Sequence, residues 1–166
     1  DMTGKISGEY AHQTNYRDNP LNFGLDYFLG EGSLTWQGVT GLVGYESLGG
    51  NGAIGFATPL ATLHAFNGWA DLFLATPVDG LKDFYVQAGY SLPADALGFR
   101  SVNPALIYHF YATDNLNTGI GTEWDAQAEL VADANRSVLL KYADYQDSGA
   151  AFGGFADKSI VWLQTA

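Results

Sequence analysis

From Glu123 to Leu130 the chain reads Glu-Trp-Asp-Ala-Gln-Ala-Glu-Leu, polar and apolar in strict turn. Successive side chains of a β-strand point to opposite faces, so this stretch has one wet face and one greasy face. The same two-faced period recurs along the chain. Leu21, Phe23, Leu25, Tyr27 and Leu29 stand in phase against Asn22, Gly24 and Asp26, and Phe84, Val86, Ala88, Tyr90 and Leu92 against Tyr85, Gln87, Gly89 and Ser91. A sustained period of two points to an antiparallel sheet or barrel; which solvent each face meets has to come from elsewhere.

Ten strands are expected, over 4–16, 21–36, 39–48, 56–66, 69–76, 81–92, 101–113, 121–132, 137–147 and 158–165. Between them lie Asp18-Asn19-Pro20, Gln37-Gly38, Asn67-Gly68, Val78-Asp79-Gly80 and Asp133-Ala134-Asn135-Arg136. Asn-Gly and Asp-Gly supply the positive φ that a tight hairpin needs. Longer connectors at 49–55, 114–118 and 148–157 fall at one end of a ten-stranded meander. Gln37-Gly38, Asn67-Gly68 and 133–136 fall at the other, with 93–98 a long exception there. Pro59 removes a ladder donor from 56–66 and belongs at an edge or bulge. If that stretch is a loop, the count drops to nine and the division of ends weakens.

Composition narrows the class. Hydrophobic residues make up 47% of the 166 and charged ones only 15%, which argues against disorder. Ten Tyr, ten Phe and 21 Gly suit strands and tight turns. No run nears the roughly 18 apolar residues of a spanning helix, so any membrane span must be a strand. Cysteine is absent, which excludes disulfides and thiolate-bound metal. Asp1 opens the chain without a charged-then-apolar leader, as expected of a mature or trimmed product. A net charge of -11 argues against nucleic acid or anionic headgroups as partners.

Three features favour greasy-out over the greasy-in of a soluble, ligand-binding barrel. Aromatics sit near strand ends (Tyr16, Trp36, Tyr45, Trp69, Tyr90, Tyr111, Trp124, Tyr145 and Trp162), as in girdles at two membrane interfaces. The strands have the length of tilted membrane strands, about ten residues. The proposed inner face carries Glu, Asp, Gln, Gly and Ser, too polar for a dry core without partners. The expected fold is therefore all-β: an antiparallel up-and-down transmembrane β-barrel of about 8–10 strands, with 1–166 a single domain or part of a larger barrel. A barrel of that size is barely wide enough for its own side chains, so a conducting pore needs further strands or other chains. A small soluble barrel with an apolar ligand and a non-conducting structural membrane barrel are the alternatives.

The run Thr58-Pro59-Leu60-Ala61-Thr62-Leu63-His64-Ala65-Phe66-Asn67-Gly68-Trp69-Ala70-Asp71, followed by Phe73-Leu74-Ala75-Thr76-Pro77 and Gly80-Leu81-Lys82-Asp83, resembles the C-terminal half of the alginate-export family of bacterial outer-membrane β-barrels. Gly38-Val39-Thr40-Gly41 with Gly44-Tyr45-Glu46 resembles the hairpin before it. Tyr108-His109-Phe110, Glu123-Trp124-Asp125 and Leu140-Lys141-Tyr142-Ala143-Asp144-Tyr145 resemble its last strands, so the likeness covers about 21–162. The resemblance implies a porin-like channel in the outer membrane of Gram-negative bacteria, surrounded by lipid and passing small hydrophilic solutes or saccharides. This chain departs from the family in being much shorter and in ending at Ala166 without a terminal aromatic. A polyanion channel should be lined with Lys and Arg, whereas here seven basic residues face 18 acidic ones. A cation- or neutral-preferring pore is the expectation.

Glu123, Asp125, Gln127 and Glu129 share one strand face and would line the lumen, attracting cations. The bland reading is the solvated face of a soluble sheet. Lys141, one hairpin on, is placed to pair with one of these carboxylates or to stand alone with its stem along the wall. Asp71 and Asp83 bracket a turn and would form a constriction with His64 and Lys82; the bland reading is local turn caps. His12, His64 and His109 show no ligand spacing, so neither metal nor cofactor is expected. No Gly-x-Ser-x-Gly, His-Glu-x-x-His or phosphate loop appears, and Ser101 or Ser137 near His109 is not singled out as a nucleophile. Enzymatic activity is not expected.

Overall fold

The computed structural model describes residues 1–58, 67–95, 98–149 and 155–165. Nine strands form one sheet: β1 (Met2–Thr14), β2 (Gly24–Trp36), β3 (Val39–Leu48), β4 (Leu81–Tyr90), β5 (Leu92–Pro93), β6 (Ser101–Ala112), β7 (Gly119–Val131), β8 (Ser137–Asp147) and β9 (Lys158–Thr165). All neighbours are antiparallel, in the order β1-β2-β3-β4-β6-β7-β8-β9, with the two-residue β5 attached to β6. The sheet is an open meander whose edges are β1 and β9. No helix among the described residues is long and apolar enough to cross a membrane, which says nothing of strands.

The expected strand 69–76 is absent. The stretch 69–76 is turn and irregular chain, and residues 56–58 are not in a strand, while 59–66 lies outside the described residues. The cause is local: Asn67, Gly68 and Asp71 have φ of 57°, 83° and 53°, and three left-handed residues within five cannot run in a ladder. Because β3 pairs directly with β4 and antiparallel to it, the long connections keep to one end. Connections 49–80, 113–118 and 148–157 sit at one end with 15–23. The tight Gln37-Gly38 turn, with φ of 49° and 84°, lies at the other with 132–136 and the β5 connection.

The chain between β3 and β4 returns over one face of the sheet near the long-connection end. Its Phe56, Ala70 and Phe73 are buried against Leu25, Tyr27, Leu48, Leu81, Tyr111, Ile120, Ala143 and Tyr145. This covered face bears the core. A register shift between Tyr111 and Ala112 leaves Ile120 unpaired on β7 and buried, with its carbonyl accepting from the Tyr145 hydroxyl at 2.7 Å.

The opposite, bare face is apolar. Phe84, Val86, Ala88 and Tyr90 project there as the alternation predicts, beside Trp124 and its in-phase neighbours Ala126 and Ala128. Strand β2 differs from its expected facing. Leu25 and Tyr27 are buried on the covered face, Phe23 is half-buried against the same cluster, and Phe28 points outward instead. The first third of β2 lies beneath the returning segment, so there the covered face is the greasy one. Asp26 is thereby turned to the bare face, where the Tyr10 hydroxyl and His12 Nδ1 each reach its Oδ1 at 2.7 Å.

Aromatic side chains on the bare face run from strand to strand near the long-connection end. Phe28 meets Tyr45, Tyr45 is the register partner of Phe84, Phe84 meets Phe110, and Tyr108 meets both Phe110 and Trp124. Trp36 and Tyr90 mark the Gln37-Gly38 end. Six residues, about 20 Å of extended chain, separate Phe84 from Tyr90. Exposed aliphatics fill the interval: Leu34, Val43, Val86, Leu106, Leu140 and Leu163. Of the aromatics expected to form girdles, Trp69, Tyr111, Tyr145 and Trp162 are instead among the core or packed against it on the covered face.

Candidate functional site: the charged wall beneath the returning segment

Register places charged side chains from several strands side by side on the covered face. Glu123 and Asp125 of β7 are 1% and 0% exposed, and Asp83 of β4 and His109 of β6 lie buried beside them. Such burial of charge is costly unless every atom is answered. The answers come from the wall and from the segment above it.

Asp83 holds His109 through Nδ1, 2.9 Å from Oδ2 and 3.0 Å from Oδ1. The other ring nitrogen, Nε2, stands 3.6 Å from Asp125 Oδ2. His109 thus stands between carboxylates of the two neighbouring strands, hydrogen-bonded to one of them. Tyr85 and Tyr111 stack on the imidazole with centroids at 5.4 and 5.5 Å. The contact to Asp125 is too long for a hydrogen bond. Nε2 and Asp125 Oδ1 are accordingly without hydrogen-bond partners.

The segment is bound through its backbone. Trp69 N–H donates to Asp125 Oδ2 at 3.0 Å and Ala70 N–H to Glu123 Oε1 at 2.7 Å. Two in-phase carboxylates of one strand thus receive two consecutive amides. Gly68 makes the approach possible: a Cβ there would collide with the Tyr111 hydroxyl and the Glu123 carboxylate. From the other side, Lys158 Nζ donates to the Ala70 carbonyl, and Lys141 Nζ lies 4.1 Å above the Trp69 ring.

The polar network continues toward β1. Tyr85 donates to Glu31 at 2.7 Å, Ser7 donates to the other oxygen of Glu31 at 3.1 Å, and Tyr27 donates to Glu46 at 2.8 Å. Nearer the tight-turn end the covered face carries hydroxyls and amides: Thr35 and Thr40 share a hydrogen bond at 2.9 Å, and Ser91, Asn103 and Glu129 form a chain.

Of the residues singled out from sequence, Asp83, Glu123, Asp125, Gln127, Glu129 and Lys141 all project to the covered face, and Asp71 lies half-buried in the segment above. Lys141 covers Trp69 and does not form an ion pair with its neighbours on β7, although the charges of Asp125 and Asp71 are close. Lys82 is a correction. It is one residue out of phase with Asp83 and so belongs to the bare face, where its Nζ reaches Asp114 Oδ1 at 3.4 Å. His64 lies outside the described residues. Sequence reading missed the roles of His109, Trp69, Glu31, Glu46, Tyr85 and Lys158. The period of each strand places its own residues on a face, but hairpin register was needed to put Glu31 beside Tyr85.

Among the described residues no group of three His, Cys, Asp or Glu has the geometry to hold a metal ion. In comparisons with known proteins, no family model, no curated protein and no solved structure matches this chain.

Proposed function

We propose that this chain is the wall of an outer-membrane β-barrel whose polar covered face lines a lumen narrowed by residues 49–58 and 67–80, passing small hydrophilic solutes with a preference for cations or neutral molecules. The observation that carries the reading is the inverted polarity of the sheet. Buried Glu123, Asp125, Asp83 and His109 lie on one face, and Phe84, Val86, Leu106, Phe110, Trp124 and Leu140 stand exposed on the other. A contiguous apolar face of this kind is at odds with water as its solvent. Aliphatics between two aromatic levels match a hydrocarbon layer with its interfaces. The family resemblance of the run from Thr58 to Asp83 supports the same conclusion, as does the arrangement of long connections at one end and tight turns at the other.

Excess carboxylate on the lumen side focuses cations and repels polyanions. Spin labels at Val43 and Val86 of the purified protein in lipid should be reached by oxygen and shielded from a polar relaxation agent. Reversal potentials in a salt gradient should favour the cation. Labels accessible to the polar agent would reject the membrane face, and a chloride preference would reject the selectivity. A non-conducting membrane barrel is the second reading, favoured by the packing of Phe56, Ala70 and Phe73 onto the wall.

A further inference from the structure

The two margins of the sheet are regular and little defended. A free strand edge is ordinarily blunted by proline, by charge, by a bulge or by brevity. β1 runs for 13 residues without proline and pairs with β2 in unbroken register, so its outer row of amides and carbonyls is continuous. Its charges, Lys5 and Glu9, are of opposite sign and sit on the covered face. β9 is also unbroken and carries a single charge, Lys158. On the bare face, Met2, Ile6 and Tyr10 of β1 and Val161 and Leu163 of β9 are more exposed than any large apolar side chain of the strands between them, Ile6 reaching 91%.

What the covered face already holds prevents these margins from closing on each other. Eight strands make up the width of the sheet. A closed barrel of that number has an interior just wide enough for side chains, whereas about 16 strands leave a channel. Here the interior side carries backbone as well: the Trp69 and Ala70 amides rest on β7, and Phe73 packs between Tyr111, Tyr145 and Phe155. We propose that the partner of both margins is a second copy of this chain, β1 of each copy pairing with β9 of the other to close one barrel with a twofold axis along its length. This rests on the barrel reading above and names what completes the wall. β1 and β9 run in opposite directions, and rotation about the barrel axis preserves direction, so both seams are antiparallel. The register that sets Glu9 opposite Lys158 joins opposite charges on the covered face. It also sets Thr3 opposite Gln164 there and, on the bare face, Ile6 opposite Val161 and Gly4 opposite Leu163. All of β9 is then paired, with about eight backbone hydrogen bonds in each seam.

The chain has no cysteine, so introduced thiols report the seams without interference. Native mass spectrometry of the unsubstituted protein in detergent micelles should give twice the 17.8 kDa of one chain. Chains carrying Thr3→Cys, folded together with chains carrying Gln164→Cys and oxidised with copper phenanthroline, should yield a disulfide-linked dimer; Gly4→Cys with Leu163→Cys samples the adjacent pair, so that both kinds of cross-strand position are tested. Either cysteine alone should give no linked dimer, because the twofold axis puts like positions on opposite seams. A monomer throughout, a dimer that links at neither pair, or a chain with both Thr3→Cys and Gln164→Cys that oxidises within itself would each overturn the pairing. A spin label at Val86 separates this from the membrane reading. A linked dimer whose label is open to the polar relaxation agent would uphold the pairing and defeat the membrane wall, whereas a monomer whose label is buried in lipid would defeat the pairing alone.

Discussion

The covered face has two ends built on opposite terms. At the long-connection end it is sealed: Leu25, Tyr27, Phe56, Phe73, Tyr111 and Tyr145 form an apolar cluster, and the acids among them are matched to specific donors. At the tight-turn end Ser33, Thr35, Thr40 and Gln87 lie on the same face outside that cluster and only half-buried, with Thr35 and Thr40 bonded to each other. The sheet is continuous between them, so the difference comes from the returning segment. Buried Glu123 and Asp125 are tolerated because that segment brings amides to them, whereas Asp83 and Glu46 are answered from within the sheet by His109 and Tyr27.

The contrast can be broken most forcefully at Asp125. Asp125→Ala leaves the Trp69 amide unanswered in a buried site and removes one of the two carboxylates flanking His109, and the unfolding free energy in urea should fall by about 4 kcal/mol. A loss near zero would mean that water already reaches this end. Phe73→Ala removes the apolar anchor, and about 3 kcal/mol of local stability should go with it. Hydrogen exchange at 67–80 should accelerate while β7 and β8 remain protected; uniform acceleration would show that segment and wall melt as one.

The third test crosses to the other face. Val86→Lys should cost about 2–3 kcal/mol in a lipid bilayer, the penalty for a cation amid hydrocarbon, whereas Ser33→Lys on the covered face should change stability by under about 0.5 kcal/mol. Equal costs would remove the distinction between the faces. The smallest effect belongs to the open end. Thr40→Val deletes one partner of the Thr35 hydrogen bond, and a fall of about 0.5 kcal/mol in the unfolding free energy measured in urea is expected.

Much of this was legible beforehand, for a definite reason. The period of two in Phe84-Val86-Ala88-Tyr90 and in Glu123-Asp125-Gln127-Glu129 is a property of the backbone, so the faces of β4 and β7 followed directly, and the limits of β3, β8 and β9 coincide with those expected. What failed was whatever depended on a neighbour. Leu25 and Tyr27 alternate as Phe84 and Val86 do, yet they turn to the opposite side of the sheet because a remote stretch of chain lies over them. Trp69 to Thr76 had strand composition, but the left-handed turn at Asn67, Gly68 and Asp71 sets its amides down on Glu123 and Asp125, partners that only the folded register reveals. Lys82 was misplaced by grouping it with Asp83, its neighbour in sequence and its opposite in space.

The seven antiparallel steps from β1 to β9 leave the first and last strands running in opposite directions. Either free margin can therefore accept a complete hairpin, or the other margin itself, without a parallel pair appearing anywhere in the ladder. The width of such a sheet can grow or shrink two strands at a time by duplication or loss of a hairpin, each new unit inheriting the two faces already established. Enlargement in whole hairpins is an evolutionary step open to this architecture that leaves the existing covered face intact.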